Sequence, residues 1–368
     1  MIGKMKRTAL AVIFCGVIIG VSSGCRNSDS DIIPSAEPDI YISGFTRNGL
    51  DVAVPCIWKN GQRTDLSVID PARPGFAYGL YVEGDDVFVV GSVVNGLGIY
   101  IPCCWKNGER SDLSLISPSR GGEARSVFVW EGIVHVAGYV INHSDVFVPC
   151  YWYDGARNEL NAFAPGQNGN AASVCVAPAG ELYLAGSVSD TSHIGIPCYW
   201  HSDSRIDLNR LDPAGSGTAR SIQLFLGDVY VAGDVRNDAN VPRPCYWKNG
   251  ARTDLSVLDQ SEWASGQSIF VNGSDVYVAG YCSRTVHRFA PCFWKNGIRN
   301  DLSVRDGNQH SYAWSITGYG DNVYIAGSTT NGFQVSIPCY WHNGGRTELS
   351  VLAYGKSGEA HAIFALSK

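Results

Sequence analysis

Cysteine, histidine and the carboxylates are the residues of this 368-residue chain that could do chemistry. Their spacing argues against most of it. Seven of the twelve cysteines follow a proline, at Cys56, Cys103, Cys150, Cys198, Cys245, Cys292 and Cys339. The steps between them are 47, 47, 48, 47, 47 and 47 residues. Equivalent positions in neighbouring repeats lie too far apart to form a disulfide, so these thiols are expected as small buried apolar groups. No C-x-x-C pair occurs, which removes the zinc signal, and no cofactor motif appears. Each repeat also carries an acid two residues after an arginine, as in Arg252 and Asp254. A sevenfold row of such pairs reads as ion-paired scaffold rather than as catalytic acids. His143, His193, His287, His310 and His361 come from different repeats without ligand spacing. There is no nucleophile elbow, phosphate loop or calcium loop. Glu262 and Glu359 are the loop carboxylates that could act as an acid pair on a glycoside or uronide.

Residues common to all copies are scaffold, so recognition must lie where the copies differ. One position in the run that opens each repeat is occupied by Tyr78, Arg125, Ala172, Arg220, Gln267, Trp314 and His361. Around it fall Trp263, Arg284, His287, Arg288, His310 and Tyr312. Aromatic faces beside cationic and imidazole donors suit a sugar, an acidic glycan or a peptide. The expected ligand contacts are therefore Tyr78, Arg125, Arg220, Trp263, Gln267, His287, His310, Tyr312, Trp314 and His361. The seven tryptophans two residues after each Pro-Cys cysteine, such as Trp247, are expected instead to pack between repeats.

The elements that must position these residues are short strands. In one repeat, Gln267–Val271 and Val276–Gly280 are β-rich runs separated by an Asn-Gly turn. Ala290–Trp294 is a third run, and Lys295-Asn296-Gly297 turns the chain into a fourth, Arg299–Leu302. No helical period appears. Four short strands in about 47 residues are the mark of a β-propeller blade, and seven copies predict a seven-bladed all-β propeller over 39–368. The array opens on a second strand, Ile40–Gly44, and ends on a lone first strand, Ala360–Ala365. The C-terminal strand should therefore join the N-terminal blade and close the ring. An open solenoid would need capping units that the sequence lacks.

The run Ala124–Val129, then Val134-His135-Val136-Ala137-Gly138, then a W-x-N-G-x-x-T-D-L-like segment, resembles the HAF-type extracellular repeat of bacterial proteins. This chain writes Cys where that repeat has Ala, as at Cys245 before Trp247. The resemblance implies extracellular placement and a repeat fold. It implies no catalytic residue.

The N-terminus reads as a targeting segment. Lys4, Lys6 and Arg7 precede an apolar stretch, Ala9–Val21, that is short for a membrane span. Val21-Ser22-Ser23-Gly24-Cys25 is similar to a bacterial lipobox, although Ser22 departs from the usual aliphatic residue. A lipoprotein signal peptide over 1–24, lipidation at Cys25 and a flexible tether over 25–38 are expected, with the chain held at the cell envelope, in all expectation the outer membrane. The formal charge is −6, and removing the three leader cations leaves −9 on the rest. That surface argues against nucleic acid as a partner. The function classes that remain are a binding module or scaffold for a glycan or protein, a carbohydrate-active enzyme with its site among the variable loops, and an accessory subunit of a surface assembly.

Overall fold

The computed structural model describes residues 37–368 apart from 163, 165, 203, 260, 286 and 287. Cys25, the leader, nearly all of the tether and His287 lie outside the described residues. The chain folds into 28 strands arranged as seven four-stranded antiparallel sheets, a seven-bladed β-propeller. Blade 1 is built from both ends, in the order β28 (Gly358–Leu366), β1 (Asp39–Arg47), β2 (Ala53–Lys59) and β3 (Gln62–Asp65). The other six follow in sequence order over 75–112, 122–159, 169–207, 217–254, 264–301 and 311–348. The closure pairs β1 with β28 from Asp39↔Leu366 to Thr46↔Gly358, with one register shift between Ser43 and Gly44.

Local chemistry explains each hairpin. The turn between the third and fourth strands has positive φ at both central residues, as at Asn249 (49°) and Gly250 (82°). Only a short polar residue followed by glycine holds that conformation at little cost, and it matches the twist of the flanking strands. The asparagine side chain then accepts the N–H of Val229 from the second strand, at 2.8 Å. The strands run longer than the sequence runs suggest; the second strand of blade 6 reaches Asp275–Thr285.

The core divides into seven clusters, one between each pair of neighbouring blades. At the centre of each lies one of the repeat tryptophans, all fully buried. Every one of these indoles donates to a backbone carbonyl of the preceding blade, at 2.7–3.0 Å. Trp58 does so across the closure, to the Ser350 carbonyl. The seven Pro-Cys thiols are buried and free, as expected. Seven arginine–acid pairs line the fourth strands.

Candidate functional site

The position at which the repeats differ has a backbone cause. The first, innermost strand of every blade carries a β-bulge, and the register skips one residue each time. The skipped residues are Tyr78, Arg125, Ala172, Arg220, Gln267, Trp314 and His361. A bulge leaves its extra residue outside the ladder and re-aims its side chain. All seven side chains, of six different types, thus stand at the mouth of the central channel, on the face where first strands begin.

The bulge depends on a glycine of the second strand. A Cβ at Gly44, Gly91, Gly138, Gly186, Gly233, Gly280 or Gly327 would lie 1.9–2.0 Å from a carbonyl oxygen of the bulged strand. The glycine of each Ala-Gly-like pair is therefore what lets the bulge form. Below it, serine hydroxyls tie the innermost strands of adjacent blades together. Ser126, Ser173, Ser221, Ser268 and Ser315 each accept a backbone N–H of the next blade at 3.2–3.3 Å.

Two further rings of variable residues surround the bulge ring. One lies two residues earlier on the first strand (Phe76, Glu123, Asn170, Thr218, Ser265, Tyr312, Glu359). The other lies opposite it on the second strand (Ser92, Tyr139, Ser187, Asp234, Tyr281, Ser328, Phe45). Together the three rings divide the face into two sectors.

The first sector is aromatic. Nine rings form one network over blades 6, 7, 1 and 2. Tyr312 stacks on Trp314 at 5.0 Å, and Trp314 meets the edge of Tyr281 at 5.9 Å. Phe289 and His310 extend the network outward. His361 bridges Trp314 (6.5 Å) to Tyr78 (5.4 Å), and Phe45 and Phe76 complete it. His361 is held between the Ala77 carbonyl (3.0 Å) and Glu359 (3.3 Å). In blade 3 the Arg125 guanidinium lies over Tyr78 at 4.5 Å and Tyr139 at 5.9 Å, and pairs with Glu123.

The second sector, on blades 4 and 5 and the edge of blade 6, is polar. Arg220 reaches Asp234 at 3.1 Å and Ser265 at 3.2 Å. Ser265 donates to Asp234 at 2.7 Å, and Gln267 donates to Ser265 at 2.7 Å.

Electrostatics keep the site's tyrosines in their neutral form. Burial, reinforced by Glu123, pushes Tyr139 up to about 12 and carries Tyr78 still further up. Burial, with Tyr281 and Glu359, raises Tyr312 to about 12. At neutral pH they are phenols, each carrying a hydroxyl proton. The Arg125 guanidinium is pulled down by burial, but Glu123 and the two tyrosines outweigh that and leave it raised.

Of the residues singled out in the sequence, the structure brings Tyr78, Arg125, His310, Tyr312, Trp314 and His361 into the aromatic sector. It places Arg220 and Gln267 in the polar one. Trp263 is half-exposed (49%) in the connection into blade 6, its backbone paired with Ser283. It stands apart from the ring network. Glu262 and Glu359 do not form an acid pair with each other. Glu262 accepts from Arg299 (3.3 Å) and from the Leu258 N–H (2.9 Å), while Glu359 holds His361. The sequence reading missed Phe45, Phe76, Glu123, Tyr139, Asp234, Ser265, Tyr281 and Phe289. A signal existed for four of them, Phe45, Tyr139, Asp234 and Tyr281: the residue after the second-strand glycine varies between repeats as the bulge residue does.

The loops between second and third strands vary in sequence, yet six of the seven share one geometry. Asn48, Asn95, Asn142, Asp190, Asn237 and Asn331 each accept two backbone N–H groups, two and four residues on. Such Asx turns fix the backbone and leave the tips free to vary. Blade 6 departs from the pattern, with its second and third strands extended to Thr285 and from Arg288.

No protein-family model matches the chain, and no curated protein does. Among solved structures, it is similar to a puromycin-hydrolysing peptidase of Mycobacterium tuberculosis, at 12% identity and a TM-score of 0.56. That match covers 85% of this chain and 53% of the peptidase. A puromycin hydrolase is similar at 11% identity and a TM-score of 0.56, over 88% of this chain and 54% of the hydrolase. The β-propeller domain of the Trilobed protease from Pyrococcus furiosus matches at 11% identity and a TM-score of 0.48, over 87% and 98%. The chain spans about half the length of the first two proteins, and the likeness shows the propeller fold alone.

Proposed function

We propose that this chain is a non-catalytic binding module of the bacterial cell envelope that holds a glycan on its variable face. The observation that carries the reading is the bulge ring. Seven identical backbone devices present side chains of six different types, sorted into an aromatic arc and a polar arc around one channel mouth. Stacked rings take up the apolar faces of sugars, and hydrogen-bonded charge pairs offer donors and acceptors to hydroxyls. Three carboxylates of this face are bonded to a guanidinium, Glu123 to Arg125, Asp234 to Arg220 and Glu262 to Arg299, and Glu359 is hydrogen-bonded to His361. Glycoside cleavage needs two carboxyl groups free to trade a proton with substrate, which supports binding over catalysis.

The envelope part of the proposal rests on Lys4, Lys6, Arg7 and the Gly24-Cys25 site, together with the HAF-type resemblance. The fold suits it. Asp39 starts β1 at the face opposite the bulge ring, beside Leu366, Lys59 (3.3 Å) and Asn60 (2.9 Å). A chain anchored at Cys25 would present its variable face away from the lipid. Cys25→Ala should release the protein from the membrane fraction and abolish fatty-acid labelling.

The site is tested by titrating neutral and acidic oligosaccharides against the wild type and Trp314→Ala. Loss of the stacked indole should weaken binding by about 1–3 kcal/mol. Unchanged affinity in the variant would remove the aromatic arc from the site. A protein-docking reading has its own observation. Leu50, Leu97 and Phe333 are 85–90% exposed at loop tips on the adjoining blades 1, 2 and 7. Replacing all three by serine should leave glycan binding intact; loss of an envelope partner in that variant would favour docking.

A further inference from the structure

Ala172 is the one bulge residue with almost no side chain, and a cavity lies beside it, lined by residues of its own and the neighbouring strands rather than by Ala172 itself. In blade 7 the equivalent residue is Trp314, which packs on Tyr312 of its own strand and Tyr281 of the preceding blade. The equivalents of those two residues around Ala172 are Asn170 and Tyr139. Both line a cavity of about 320 Å³ at the junction of blades 3 and 4. Sites for small ligands run from roughly 300 to 1,000 Å³, so this one suits a single sugar residue.

The lining has a definite chemistry. Tyr139 and Phe147 form one wall, their rings tilted 55° at 5.1 Å. Asn168, Asn170 and Ser187 line it with polar groups. The Asn168 carbonyl oxygen already accepts the Phe147 N–H at 2.9 Å, which turns its amide hydrogens toward other partners. Arg125 is the only charged residue of the lining. Its partner Glu123 does not reach the cavity and is the more buried of the two, with 14% of its side chain exposed against 40% for Arg125. The rings of Tyr78 and Tyr139 hold the guanidinium in place. A guanidinium has five N–H donors in a planar fork, more than one carboxylate uses.

We infer that this cavity is a subsite for an acidic sugar residue, one bearing a carboxylate or a sulfate, bound by Arg125 against the Tyr139–Phe147 wall. The inference rests on the reading that this face binds glycans and narrows it to a charge class. A larger cavity, about 460 Å³, opens between the outer loops of blades 3 and 4. It touches none of the bulge residues.

The test obstructs the cavity: a tryptophan at 172, set against Asn170 and Tyr139 as Trp314 is set against Tyr312 and Tyr281, would cover two of its lining residues. Six of the seven blades carry a larger residue at the bulge, so the fold accepts Ala172→Trp. Full-length protein and this variant are titrated with three oligosaccharides of equal length: neutral, glucuronate-containing and sulfated. The wild type should bind one or both acidic ligands at least tenfold more tightly than the neutral one, and which of the two it prefers identifies the anion. Ala172→Trp should melt like the wild type and lose that preference. Equal binding of neutral and acidic ligands, or an acidic preference that survives Ala172→Trp, overturns the subsite and leaves the glycan reading standing. Failure of all three to bind overturns both.

Discussion

Gly233→Ala tests the coupling between the second-strand glycine and the bulge. A Cβ at this position would lie 1.9 Å from the Thr218 carbonyl oxygen, 3.0 Å from its carbon and 3.2 Å from the Ala219 Cα. Real Cβ atoms essentially never approach closer than 3.0 Å, so the bulged strand must retreat by about 1.1 Å. The obstacle is backbone on both sides, in a ladder that runs from Gly217↔Val235 to Phe225↔Asp228, so no side chain can swing away. Overpacking of this kind costs about 1–3 kcal/mol, and weakened ladder bonds beside the bulge should bring the total to roughly 3–4 kcal/mol. Arg220, the bulged residue, should lose its bonds to Asp234 and Ser265 together. Gly96→Ala is the control, because nothing lies within 4 Å of its Cβ and its φ is ordinary. It should be neutral or stabilising by about 0.4–1 kcal/mol. Urea unfolding followed by tryptophan fluorescence and by far-ultraviolet dichroism reads both variants, and coincident transitions license the comparison. If Gly233→Ala unfolds at the wild-type midpoint, the glycine does not underwrite the bulge and the account of the site's geometry is wrong.

Trp247→Ala should cost about 3–5 kcal/mol in the same assay, since it empties a fully buried site and orphans the Asn209 carbonyl that the indole holds at 2.9 Å; a loss under 1 kcal/mol would make the repeat tryptophans ornamental. Burial holds the His135 imidazole below its usual value, and neither ring nitrogen has a partner among the described residues. The unfolded chain therefore binds a proton that the folded one resists, so stability should fall as pH drops below about 6.5. His135→Phe, which copies Phe88 of blade 2, should flatten that dependence between pH 7 and 5; an unaltered pH profile would assign the loss to other groups. Burial pushes the Cys339 thiol up to about 12 and Cys104 likewise, and the other Pro-Cys thiols are shifted the same way. A thiol reagent should therefore label these eight cysteines only as the protein unfolds, and their rapid labelling in the native protein would contradict this.

The fold was legible because its signals are local and repeated. Asn-Gly turns, alternating runs and the Cys-x-Trp pair state one blade, and the interval of 47 residues states how many. The split first blade could be read from strands missing at each end. The site was legible only in part. The bulge position showed itself through variation, but a bulge is a backbone event with no residue type of its own, and its seven occupants are of six types. Trp263 looked equivalent to Trp314 because both break the repeat. Only the register separates them, since Trp314 is a bulge residue and Trp263 precedes the strand. Pairings such as Arg125 with Glu123, or Arg220 with Ser265 of the next blade, depend on which residues face each other across strands. That geometry is not written in either segment alone.

The glycine and its bulge also bear on how such a protein changes over time. A unit copied in tandem carries its own glycine, its own bulge and its own turn, and so arrives already able to fold against its neighbours. It carries as well one side chain that the backbone has set outside the ladder, where no packing demand fixes its identity. Mutation at that place alters what the face displays without troubling the ring that displays it. Duplication supplies the positions, and substitution writes on them one at a time. Seven such positions, holding Tyr, Arg, Ala, Arg, Gln, Trp and His in ring order from blade 2, are seven separately revisable letters on one durable page.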